Sequence, residues 1–178
     1  MHNNQIITNQ NLFESYVTAE MEQYFYKKMS TEEQDYIRLK VSELLKFLTL
    51  SHHTYGDIPF NSEIDDVWHL WILQTIQYSE LMAKLPGKKF INHCSNDYPM
   101  DESKNILSDE DELNRQVSFL VSYVANFGNF TRETVSFWPA TMILMELCGF
   151  DVDQLNIYLY ELSLKNGNNL LLDSKLSA

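Results

Sequence analysis

Ile37, Val41, Leu44, Leu45 and Leu48 recur at intervals of three and four residues, shortly after the run Ser30-Thr31-Glu32-Glu33. That interval matches the turn of an α-helix and not the two-residue repeat of a strand, so the stretch must bury one helical face. The Ser-x-x-Glu order before it is that of a capping box, in which a hydroxyl and a carboxylate satisfy backbone N–H groups of the first turn. The spacing therefore predicts a helix running to about Leu50.

The same pattern accounts for most of the chain. Leu12, Phe13, Tyr16, Val17, Tyr24 and Phe25 predict one helix over residues 11 to 29. Ser62 with Asp65 can cap a third, carrying Trp68, Leu70, Trp71, Ile72, Ile76 and Leu81 until Pro86-Gly87 stops it. No period holds from Lys88 to Leu107, where Asn, Ser, Asp and Pro predict a long structured loop. Ser108 with Asp111 opens the next helix, which Phe127-Gly128 closes. Trp138-Pro139 marks a start, Gly149 a stop, and Asp151 the cap of a last helix reaching Lys165. The expected fold is all-α: a single-domain bundle of about five or six helices over residues 1–165, with a long loop after the third helix and a polar tail over 166–178.

Composition narrows the partners. Thirteen basic against 25 acidic residues leave a net charge of −12, which gives no general attraction to nucleic acid or to an anionic bilayer. The two cysteines, Cys94 and Cys148, lack finger or disulfide-framework spacing. With no basic leader, no apolar leader core and no membrane-length apolar run, the expected location is the cytoplasm.

Chemistry-bearing residues gather in one segment. Asp65-Asp66-Val67-Trp68-His69-Leu70-Trp71 is followed by Tyr78 and then by Phe90-Ile91-Asn92-His93. On a helix, Asp65 or Asp66 shares a face with His69, and carboxylate oxygen with imidazole nitrogen is a workable pair for a divalent transition metal such as zinc or iron. His93 can supply a third ligand from the loop, giving Asp66, His69 and His93 as the candidate metal set. His52, His53, Asp65, Trp68 and Tyr78 are placed to surround that set or to line a ligand pocket.

Each of these residues also has a plain structural use. Asp65 can serve as the capping acid, and both aspartates sit in a first turn that favours negative charge. His69 can be a core histidine bonded to the preceding turn, and Trp68 and Trp71 can be core. Ferritin-like di-iron chemistry is excluded, because it needs two Glu-x-x-His pairs and two further glutamates, and this chain has a single Asp-x-x-His. No nucleophile elbow or phosphate-cradling glycine loop is present.

The run Ile58-Pro59-Phe60, Glu63-Ile64-Asp65-Asp66-Val67-Trp68-His69, Ile72-Leu73, Tyr78, Gly87 and Phe90-Ile91-Asn92-His93 resembles the glycine-rich domain-containing protein-like family. That family comprises the N-terminal region of the plant proteins of that name and short bacterial relatives, with a "VD-x-x-WH-x-x-IL" helix, a Tyr and a closing "FIHH" segment. The resemblance covers about residues 44 to 99. It departs at Leu81-Met82, where the family often has Cys, and at Asn92, the first position of the family's His-His pair. It implies a shared pocket and no established enzymatic activity.

Two functions follow. One is a metal- or small-ligand-binding protein, extending to a metal-dependent enzyme, whose pocket forms between the Asp-x-x-His helix and the His-bearing loop. The other is a non-catalytic acidic interaction module in which the Trp-His motif is structural and the partner is a basic protein.

Overall fold

A computed structural model describes residues 6–51, 54, 58–88, 90–92 and 109–165. Every regular element among them is helical. The helices are α1 (Asn9–Tyr16), α2 (Ala19–Lys28), α3 (Gln34–Leu50), α4 (Ser62–Ile72), α5 (Thr75–Lys84), α6 (Asp109–Phe127), α7 (Pro139–Cys148) and α8 (Val152–Lys165). A single 3-10 turn, Val135–Phe137, leads into α7. The all-α expectation holds; the count of five or six does not.

Two of the expected helices are each broken in two, for local reasons. At Val17-Thr18 the Thr18 hydroxyl accepts from the Met21 amide and starts α2, while Val17 is extended. A cap residue needs extended backbone, so Thr18 ends one helix in order to begin the next. Between α4 and α5, Gln74 leaves helical geometry and its amide bonds to the Trp71 carbonyl. The stretch read as a long loop consequently follows the fifth helix and not the third, and its residues 89 and 93–108 lie outside the described residues. So do the expected cap Ser108 and the tail 166–178.

Two expected caps also move. Helix α3 begins at Gln34, with Glu33 as an N-cap that makes no side-chain cap bond. The Glu32 amide closes a turn onto Met29, and the Glu32 carboxylate is drawn to the buried Lys40 ammonium. Asn61, and not Ser62, caps α4, its side-chain oxygen accepting from the Glu63 and Ile64 amides at 3.1 and 3.3 Å. The later signals stand as read. Pro139 opens α7, Gly149 closes it at φ +67°, and Asp151 with Gln154 forms a reciprocal capping box at 2.8 and 2.9 Å.

Helix α3 is the axis of the fold. From Lys40 to Leu50 every residue is buried, because α1, α2, α4 and α6 pack around it. A helix enclosed on all sides cannot keep its charged residues in water, and Lys40, Glu43 and Lys46 are buried with the leucines. Helices α7 and α8 contact each other and lie against α6, forming an outer layer.

Candidate functional site

Helix α4 splits the Trp-His segment between two environments. Trp68 and Trp71 are buried, whereas Asp66 is exposed and the His69 side chain keeps 51% of its surface. Neighbours on a helix point about 100° apart, so a Trp that enters the core sends the following His toward water.

Trp68 sits among Phe47 of α3 and Phe60 before α4, with ring centroids 5.4 and 5.7 Å away. Its indole N–H donates to the Tyr78 hydroxyl at 3.0 Å, and that hydroxyl donates to the Ile91 carbonyl at 2.7 Å. Phe90 adds an edge-to-face contact with the Tyr78 ring at 5.4 Å. Burial pushes the Tyr78 hydroxyl up to about 12, against a smaller opposing effect of the Trp68 bond. The relay ties α4 to α5 and fastens the segment that precedes His93 onto both.

Trp71 packs edge-on to Phe25 at 5.3 Å, and its indole N–H makes no hydrogen bond. It fills the core between α2 and α4 and presents nothing to a ligand.

His69 Nδ1 lies 2.9 Å from the Asp65 carbonyl oxygen and 3.3 Å from its carboxylate. The acid that meets the imidazole is thus the one at four residues' distance, on the exposed side of α4. Asp66 lies on that helix as an exposed residue. His93, His52 and His53 lie outside the described residues. Among the described residues, no three His, Cys, Asp or Glu side chains converge on a point where a metal could bind.

Sequence reasoning missed a polar centre deeper in the fold. Glu43 is fully buried on α3 and gathers three donors. The Lys46 ammonium reaches it at 2.6 Å, the Tyr123 hydroxyl of α6 at 2.8 and 2.9 Å, and the Trp138 indole N–H at 3.0 Å. Lys46 also donates to the Tyr123 hydroxyl at 2.7 Å and lies 4.7 Å from its ring centroid. Burial first, and then the Glu43 charge, hold the Tyr123 hydroxyl well above its ordinary range. A carboxylate with this many charge-assisted bonds is fixed, and the neighbouring ammonium balances its charge.

A companion centre lies toward the N-terminal end of α3. Lys40, 2% exposed, pairs with Glu32 and lies 3.9 Å from Glu63, which accepts from the Tyr36 hydroxyl at 2.7 Å. Burial, then Glu63, pushes Tyr36 up to about 12. A sequence signal for buried charge on α3 exists: Leu44, Leu45, Phe47, Leu48 and Leu50 cover more than one helical face, so Lys46 between them has no wet side.

Clefts occur elsewhere. One of about 390 Å³ between α1 and α3 is lined by Phe13, Glu14, Asp35 and Arg38, and Arg38 there is ion-paired with Glu22 at 3.2 Å and stacked on Phe13 at 4.4 Å. Another, of about 310 Å³, lies at the α7–α8 turn beside Arg132, Asp151 and Asp153. Among the described residues, no helix is long and apolar enough to cross a membrane. In comparisons with known proteins, no family model, no curated protein and no solved structure matches the chain.

Proposed function

We propose that this chain is a non-catalytic helical interaction module, in which the Trp-His segment builds the core and the acidic exterior meets a basic partner protein. The observation that carries the reading is the Trp68–Tyr78–Ile91 relay, because it commits the indole and phenol to holding α4, α5 and the following segment together. A net charge of −12 supports a basic partner through steering and complementarity.

A second reading is favoured by one observation. Tyr78 anchors Ile91, two residues before His93, to the helix pair that carries Asp65, Asp66 and His69. A zinc or iron site on Asp66, His69 and His93, or a small-ligand pocket there, is that alternative, and it is the pocket which the resemblance to the glycine-rich domain-containing protein-like family implies.

Metal analysis of protein purified without a His tag separates the two. The module reading expects under about 0.1 equivalent of any transition metal. A stoichiometric metal that is lost in His69→Ala would replace it with the second reading.

A further inference from the structure

Six of the ten large hydrophobic side chains exposed among the described residues belong to α7 and α8: Met142, Ile143, Leu147, Ile157, Tyr160 and Leu164. Leu147, Leu164 and Ile157 keep 71, 65 and 60% of their surface. Scattered singly, such residues would need no explanation, but these lie in two helical stripes. Met142, Ile143 and Leu147 share one face of α7; Ile157, Tyr160 and Leu164, spaced at three and four residues, share one face of α8.

The opposite faces explain their direction. Ala140, Thr141 and Leu144 of α7 and Leu155, Leu159 and Ser163 of α8 are buried, and both helices pack on α6. The two helices are joined by only three residues and touch each other, and each turns its exposed stripe away from the face that packs on α6. Two adjacent helices leave a groove of the width that a third helix fills.

Charge selects the occupant. The exposed acids on this helix pair and its turn are Glu146, Asp151, Asp153 and Glu161, against Lys165 on the pair and Arg132 beside the turn. A second copy would bring two chains of net charge −12 together, and an anionic bilayer would repel the same acids. A helix with an apolar stripe and lysine or arginine beside it satisfies both the stripes and the acids.

We infer that the outer face of α7 and α8 is the docking surface of the module, and that its partner is a basic amphipathic helix of another protein. This rests on the module reading above. The carboxylates steer and orient the incoming helix, and Leu147, Ile157 and Leu164 anchor it.

The probe is a synthetic amphipathic helix with leucines on one face and lysines on the other, compared with an otherwise identical peptide bearing glutamates. Fluorescence anisotropy reads binding of each to the full chain. The lysine peptide is expected to bind at least about tenfold tighter, and to weaken with salt. Leu147→Gln and Ile157→Gln should each weaken it about tenfold, Glu161→Lys should weaken it at low salt, and Leu73→Gln at the exposed α4–α5 junction should leave it unchanged. Circular dichroism of each variant establishes that the fold is intact.

Equal binding of the two peptides would overturn the assignment. Binding that responds to Leu73→Gln and not to Leu147→Gln would overturn this surface while leaving the module reading standing. Concentration-dependent dimers abolished by Ile157→Gln would make the occupant a second copy, and that also overturns the inference. No peptide binding, together with a metal-induced stabilisation lost in His69→Ala, would defeat the module reading itself.

Discussion

Trp68 and Trp138 are both buried indoles whose N–H groups donate to an oxygen at 3.0 Å, yet they do different work. Trp68 donates to a neutral phenol ten residues along the chain, and the bond joins consecutive helices. Trp138 donates to the Glu43 carboxylate 95 residues away, and the bond joins the start of α7 to α3 beside a buried ion pair. The difference teaches where stability and surface chemistry part. The long-range centre holds charge in a dry place and tolerates little change, whereas the local relay leaves its neighbour His69 at the surface.

The largest expected effect is at the charged centre. Glu43→Leu strands a buried ammonium and leaves Tyr123 and Trp138 without their acceptor, so it should cost on the order of 3–5 kcal/mol in urea unfolding. Adding Lys46→Met removes the stranded charge. The double variant should therefore be more stable than Glu43→Leu alone, and a double variant that is less stable would break the account of Glu43 and Lys46 as a mutually compensating pair.

At the local relay the expected cost is smaller. Tyr78→Phe removes the hydroxyl that accepts from the Trp68 N–H and donates to the Ile91 carbonyl, which should cost about 1–3 kcal/mol in the same measurement. A loss matching that of Glu43→Leu would erase the contrast between the two regions.

Alkaline pH sharpens it further. Tyr78 and Tyr36 are raised from 10.0 to about 12 in the folded chain, so the unfolded chain ionises first. Their contribution is fully present below pH 10 and is lost as pH rises toward 12. Stability should fall across that window, and Tyr78→Phe should flatten the fall. An unchanged slope in Tyr78→Phe would contradict the burial of its hydroxyl.

The smallest effects test the quiet positions. Thr49 is fully buried with an unpartnered hydroxyl, so Thr49→Val should be neutral or stabilising by up to about 1 kcal/mol. His69→Ala, which removes a surface pair with Asp65, should shift stability by no more than about 0.5 kcal/mol in the absence of metal.

What was legible in the sequence were features carried by a few neighbouring residues. Pro139, Gly149 and the Asp151–Gln154 box each act within one turn, and the apolar spacing of α3 declares a helix at any distance from its partners. The splits at Val17 and Gln74 were hidden because both halves continue an apolar stripe, while the break depends on a single cap or kink. Tyr78 was one of ten tyrosines and gained its role only when α5 folded back beside α4. Glu43, Tyr123 and Trp138 were invisible as a group, since separations of 80 and 95 residues leave no local pattern. In the Trp-His segment the acids, indoles and imidazole stood together in sequence, and the helix then sent them in opposite directions.

Trp68 and Trp71 of this segment are core, and the proposed working surface lies on α7 and α8 instead of on the His69 side of α4. The most direct test of that division is a thermal melt of the tag-free chain with and without excess zinc or iron(II), alongside His69→Ala. A site at 100 times its dissociation constant would add about 2.7 kcal/mol, roughly 5–10 °C for a chain of this size. The account predicts melting temperatures that coincide with and without metal in both proteins. A rise of that size in the natural chain, abolished by His69→Ala, would contradict it.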